Sequence, residues 1–299
     1  MQQTSDPTRV VPTRRISFDE TLAGLPKHFA GESISSGRPA DGDLLASHIT
    51  AGLSAVFPDG EDFFVRSVRH FRDELTDPEL KRQVAGFIGQ EAMHGREHRA
   101  FNDRLAALGY PTKQVERFTK WGLSTREKIA TPKANLAATA ALEHFTATLA
   151  ELILSDEETR NTFGHPAVRD LFLWHALEES EHKAVAFDVY KAVGGSERTR
   201  VWTMKFLRYG FVLGMVVQVA ASLIGDREAR RRGVLRASWK RLRASSVMSR
   251  ALWDQLKDYD RPDFHPDDRN TDELLASWRD ELFGDRGRLN DLLVRPGAA

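Results

Sequence analysis

Glu-x-x-His occurs twice in this chain, each time on the apolar face of a stretch with helical periodicity. In VAGFIGQEAMHGREHRAF (84–101), Glu91 and His94 stand three residues apart, with His98 one turn further on. Val84, Phe87 and Ile88 continue that stripe below the pair, and Leu105 extends it above. In HALEESEHKAVAFDVY (175–190), Glu179 and His182 repeat the spacing, and His175 lies one turn before Glu179. Leu171, Phe172, Ala186 and Val189 share this second stripe. Ionisable groups on a core face are expensive to bury unless something pairs with them. A fold that accepts both copies must therefore hold a counter-charge inside.

Two single acids complete the pattern. Glu61 follows FPDG at the start of a helical run, and Glu143 sits among alanines in NLAATAALEHFTATLAEL. Leu136, Thr139, Ala140, Ala147 and Ala150 share the face of Glu143, so this acid has no local partner and needs a cation. The order is Glu, Glu-x-x-His, Glu, Glu-x-x-His, the ligand set of dinuclear iron and manganese carboxylate bundles. Carboxylates neutralise and bridge two divalent ions, and an imidazole adds a nitrogen donor to each. Gaps of 30 and 36 residues within the two pairs allow a helix, a turn and a return. The gap of 52 between Glu91 and Glu143 leaves room for a long crossover. The expected fold is all-α, a ferritin-like four-helix bundle with extra N- and C-terminal helices.

Four blocks, FPDGEDFF, GQEAMHGREHRAFN, LEHFTA and WHALEESEHKAVAFDVY, resemble the signature of a bacterial family of predicted metal-dependent hydrolases, a likeness running from about residue 15 to 250. The ligand pattern is also similar to ferritin-like di-iron oxygenases, including N-oxygenases that carry an extra His one turn before the final Glu-x-x-His. His175 occupies that position here. The resemblance implies a metal enzyme, and the pattern of ligands puts an O2-activating oxidoreductase first and a dinuclear hydrolase second. A non-catalytic metal-binding protein is the third reading. The expected ligands are Glu61, Glu91, His94, Glu143, Glu179 and His182, holding two transition-metal ions. Iron is the first choice, with manganese or a mixed Fe/Mn pair as alternatives. His175 is expected as a seventh ligand, and His98 competes with it for that role. The alternative for His175 is a hydrogen bond to a carboxylate such as Glu178 or Glu143. Expected partners are a small-molecule substrate, O2 and an electron donor.

Organisation follows from breakers and caps. Residues 1–40 read as a polar arm without an apolar signal core. Residues 41–250 read as the metal-binding helical domain, with ligand helices in 61–195 and a helical extension over 196–250. Residues 251–299 read as an acidic, irregular tail. A first helix over 41–57 is expected to stop at Pro58-Asp59-Gly60, Thr76 to open a capping box before the next long one, and a single helix to run from His165-Pro166 to Gly194-Gly195. Lys+Arg and Asp+Glu balance at 43 each, so no global charge recruits nucleic acid. The absence of cysteine excludes thiolate metal sites and fits a cytoplasmic location.

The apolar run FLRYGFVLGMVVQVAASLIG (206–225) contains Arg208 and Gln218 and is short for a bilayer span. It is expected as a buried helix, over the metal site or in a homodimer interface. The Arg-rich segment behind it makes peripheral membrane contact the alternative. Glu178 and Glu181 read as solvated or salt-bridged acids, although Glu178 is also placed to orient a ligand His. His144 points away from Glu143, Tyr190 reads as a core residue, and His70, His165 and His265 read as surface or cap residues. His28 and His48 carry no signal.

Overall fold

Each expected ligand lies on a helix of 17 residues or more. A computed structural model describes residues 11–31 and 42–294, and the helices among them are joined by short turns and loops. Helix α1 (Leu44–Arg69) carries Glu61, and α2 (Pro78–Ala107) carries Glu91, His94 and His98. Helix α3 (Thr112–Ile129) lies in the crossover, α4 (Pro132–Ser155) carries Glu143, and α5 (Glu157–Asn161) is a short link. Helix α6 (Pro166–His182) carries His175, Glu179 and His182. Asp43 and Thr131 cap α1 and α4 through side-chain bonds to the third following N–H. The cap of α2 is Asp77, bonded to Glu79 N at 2.9 Å, not Thr76 as expected.

Two apolar clusters form the core, and the ligand residues lie between them. One contains Ala51 of α1, Phe101 and Leu105 of α2, Ala150 and Leu154 of α4, and the 167–177 part of α6. The other contains Phe63, Phe64 and Val68 of α1, Leu80, Val84 and Phe87 of α2, and Leu136 to Phe145 of α4. Read from one cluster to the other, α1 and α6 run one way while α2 and α4 run the other. That order matches a four-helix bundle with a single long crossover.

The structure corrects several expectations. α1 does not stop at Pro58 but runs through it. Proline lacks the N–H that would bond the carbonyl four residues back. Here that carbonyl, Ser54 O, accepts Asn102 Nδ2 at 3.2 Å instead. The helix that starts at Pro166 breaks directly after His182 and resumes as α7 (Val185–Ala192). Part of the expected polar arm is core. Ile16, Phe18, Leu22 and Phe29 are buried, and Ser17 N bonds Leu292 O at 3.0 Å, tying the two ends of the described chain together. Residues 1–10 and 32–41 lie outside the described part. The tail is more ordered than expected, with α10 (Arg250–Asp258) and α11 (Asp272–Phe283) packed on α4 and α6.

The apolar run belongs to α8 (Glu197–Ile224), followed by the basic α9 (Val234–Ala244). It is not buried over the metal site: most of its large apolar side chains are exposed. By length and composition α8 alone among the described helices could cross a membrane.

Candidate metal centre

Glu61, Glu91, His94, Glu143, His175, Glu179 and His182 come together in the middle of the bundle, each at most 4% exposed. Their donor atoms form two lobes. In one, the nitrogens of His94 and His175 and an oxygen of Glu61 lie mutually close, His175 Nε2 being 3.7 Å from Glu61 Oε1. In the other, His182 Nε2 stands 3.1 Å from Glu91 Oε1 and 3.3 Å from Glu143 Oε2. Glu179 lies between the lobes, its Oε1 3.5 Å from His94 Nδ1 and 3.6 Å from His182 Nε2. Glu91 also belongs to both sides, through His94 and through His182.

Many of these atoms lack a hydrogen bond. Both oxygens of Glu61, Glu91 and Glu143, Glu179 Oε2, His94 Nδ1 and His182 Nε2 are buried without a hydrogen-bond partner. Buried polar atoms in native proteins are paired, and orphaned atoms that converge on two points fit bound cations.

The outward nitrogen of each imidazole, by contrast, is held. His94 Nε2 bonds Glu178 Oε2 at 3.1 Å, and Arg14 holds Glu178 from behind at 2.9 Å. His182 Nδ1 bonds Gln90 Oε1 at 2.9 Å, and the Gln90 amide donates to Glu181 at 2.9 Å. His175 Nδ1 meets His98 Nε2 at 2.7 Å, and His98 Nδ1 meets Ser54 Oγ at 2.8 Å.

This last chain fixes the protons. Ser54 Oγ donates to Asn102 Oδ1 at 2.7 Å, because the Asn102 amide nitrogen already donates to Ser54 O and Glu116. Ser54 must then accept from His98 Nδ1–H, and His98 Nε2 from His175 Nδ1–H. His175 Nε2 is left as a bare lone pair, 3.0 Å from Glu179 Oε1. Two acceptors that close need a proton or a metal cation between them. His175 therefore faces the acids and His98 stands behind it, which separates two residues that their shared stripe position left equivalent.

The electrostatics agree. Burial and mutual repulsion push the Glu61, Glu91 and Glu143 carboxyls up, Glu143 to about 8. Burial works the same way on Glu179, but His182, His175 and His94 outweigh it and hold Glu179 low. Burial disfavours the charged forms of His94 and His182, yet the surrounding carboxylates raise both, His94 to about 10. Burial keeps His175, at about 4, and His98 neutral. Carboxyls this close cannot all ionise unless a further positive charge sits among them.

Glu178 and Glu181 are fully buried, not solvated, and both are paired with Arg14. Arg279 also reaches Glu181, at 2.6 Å. Arg14 arrives on the N-terminal segment, which presses against α2 at Gly86 and Gly89. A methyl group at those positions would collide with the Val11 carbonyl and the Thr13 side chain. Arg14, Gln90, Ser54 and Asn102 had no signal in the sequence reading.

A family model described as "Predicted metal-dependent hydrolase" matches residues 27–270. The chain belongs to this family. No curated protein and no solved structure matches it. The family match contains all seven central residues together with His98, Gln90, Glu178 and Glu181, while Arg14 precedes it.

The family segment also contains a second buried cluster, at His28, His48 and Asp226. Both imidazole Nε2 atoms meet Asp226 Oδ2, at 3.0 and 3.2 Å, and Lys27 Nζ reaches the same oxygen at 3.0 Å. His48 Nδ1 bonds Ser222 Oγ at 2.7 Å. Asp226 is already supplied with donors, so this cluster acts as a tie between α1 and the end of α8. His144 packs the other way from Glu143, bonding Gln255 O at 3.2 Å. The Tyr190 hydroxyl is satisfied by Ser196 O at 2.9 Å, and His265 caps Pro266–Asp268.

Proposed function

We propose that this chain is a dinuclear metal-dependent enzyme whose reaction, following the family description, is hydrolysis. One ion would be held by Glu61, His94 and His175 and the other by Glu91, Glu143 and His182, with Glu179 within reach of both sets. The carrying observation is the convergence of unpartnered carboxylate oxygens and inward imidazole nitrogens, with every outward nitrogen held. When bound, such an ion pair supplies Lewis acidity and an activated water in a hydrolytic reaction, or electrons for dioxygen reduction if the ions are iron.

The chain's own groups do the positioning. Glu178, backed by Arg14, keeps the His94 proton on Nε2 and leaves Nδ1 free to ligate. Gln90 does the same for His182, and the Ser54–His98 pair does it for His175. The flanking apolar clusters exclude bulk water and strengthen each electrostatic contact.

Dioxygen activation, the first choice of the sequence reading, becomes the second here, since the family description names hydrolysis. One observation favours it: the centre is closed, so a small gas enters more readily than a bulky polar substrate. Loading the protein separately with Zn(II), Mn(II) and Fe(II) tests both. Cleavage of simple esters, amides or phosphate esters, lost in Glu143→Ala, supports hydrolysis. Rapid O2 uptake by the Fe(II) form, with no cleavage by any form, supports the oxidative reading and overturns the first.

A further inference from the structure

We propose that α8 and α9 form a membrane-docking face, with α8 lying in the plane of an anionic bilayer surface. A helix on the surface of a water-facing protein turns apolar side chains inward and polar ones outward. α8 departs from this: Met204, Leu207 and Phe211 pack on the core, yet a second apolar set faces outward. Trp202, Phe206, Tyr209, Leu213, Val216 and Val217 are 59–75% exposed. At 100° per residue they fall within an arc of about 100°, so they form one stripe along a helix of 28 residues, about 42 Å long.

Arg200, Arg208, Gln218 and Ser222 of α8 point the other way and are bonded to the protein, whereas the exposed Arg198 and Lys205 flank the stripe. Arg200 reaches the Tyr259 carbonyl and, at 2.7 Å, Arg261 O. Arg208 reaches Leu256 O at 3.0 Å and Asp260 at 2.8 Å. Gln218 donates to Gly52 O at 2.8 Å, and Ser222 meets His48. These bonds run the length of the helix and hold it flat on the bundle. An in-plane position is therefore favoured over a span, and the medium on the outer face is apolar.

The charges select that medium. Segment 227–243 contains eight Arg or Lys residues and one acid, Glu228, which is paired with Arg231. Along α8 itself the acid is Glu197, paired with Arg200 and Lys191. On α9, Leu235 and Trp239 are exposed beside Arg236, Lys240 and Arg243. Exposed aromatics next to unbalanced arginines match an interface of acyl chains and anionic headgroups. A second copy docked through the same stripe would bring the same basic surroundings and no acidic patch to meet them.

The test uses the full chain with vesicles of phosphatidylcholine alone or mixed with phosphatidylglycerol. The protein is expected to sediment with the anionic vesicles, more weakly at high salt, and its tryptophan emission is expected to shift to the blue. Phe206→Glu with Leu213→Glu should weaken partitioning by about tenfold or more. Both positions are exposed, so an unchanged thermal midpoint would show that folding is intact. Arg232→Gln, Arg236→Gln and Lys240→Gln together should remove the preference for anionic vesicles. Failure of the wild-type protein to bind either vesicle overturns the proposal. So does equal binding by the Phe206→Glu, Leu213→Glu protein, or a change from dimer to monomer in that variant without any vesicle binding.

Discussion

At the scale of single residues, the centre depends on which nitrogen carries a proton. Ser54, though 44 positions from His98, sets that proton and through it the free nitrogen of His175. Ser54→Ala removes the acceptor and lets His98 turn over to the other tautomer. The expected result is a loss of about 10–100-fold in affinity for one of two ions, read by competition with a chelator. Unchanged affinity at both sites would refute the relay. The stripe arithmetic could place His98 and His175 in the interior but could not rank them by geometry alone. The information that ranks them lies on α1 and in Asn102, where no periodicity points. Glu178 is the salt-bridged acid that orients a ligand His, one of the roles its position offered, but its partners, Arg14 and His94, lie 164 and 84 residues away, so spacing alone could not name them.

At the scale of elements, helix existence was legible and helix continuity was not. The pair His165-Pro166 located the start of α6, because a proline in the first turn acts on that turn alone. Pro58 looked like a stop because its cost is local, whereas the compensating Asn102 comes from α2. The N-terminal segment shows the same limit, since its fit depends on the bare backbone of Gly86 and Gly89. Arg14→Met should destabilise the protein by about 3 kcal/mol, as it removes the guanidinium that faces both buried acids, Glu178 and Glu181. Gly89→Ala should also destabilise, by roughly 1–3 kcal/mol, through displacement of the same segment. The two are expected to be non-additive in urea titrations. Simple additivity would mean that the segment does not deliver Arg14.

At the scale of the molecule, a polar centre is held between two apolar clusters, and the end of α8 is tied down beside them. That tie gives a pH dependence. Burial, opposed by hydrogen bonding to Asp226, holds the His48 imidazole down to about 4. The unfolded chain protonates His48 near pH ~6.5 and so binds the extra proton in the interval between these values. Its contribution is complete above about pH 6.5 and falls as the pH drops toward 4, by at most roughly 3 kcal/mol. Urea midpoints should be lower at about pH 5 than at about pH 7, and His48→Gln should narrow the difference. An equal difference in the variant would show that other groups carry it.

The four-acid, two-imidazole order was readable because ligand spacing on a helix is a local property, and the bundle then brought all of those residues to one place. The central claim is that this place holds two metal ions. Its most direct test is elemental analysis of the protein after loading and removal of loosely bound metal, with Glu143→Ala beside it. Two transition-metal ions per chain are expected in the wild-type protein and no more than one in the variant. A wild-type protein that retains no metal, or a Glu143→Ala protein that keeps both ions with unchanged affinity, would contradict the account.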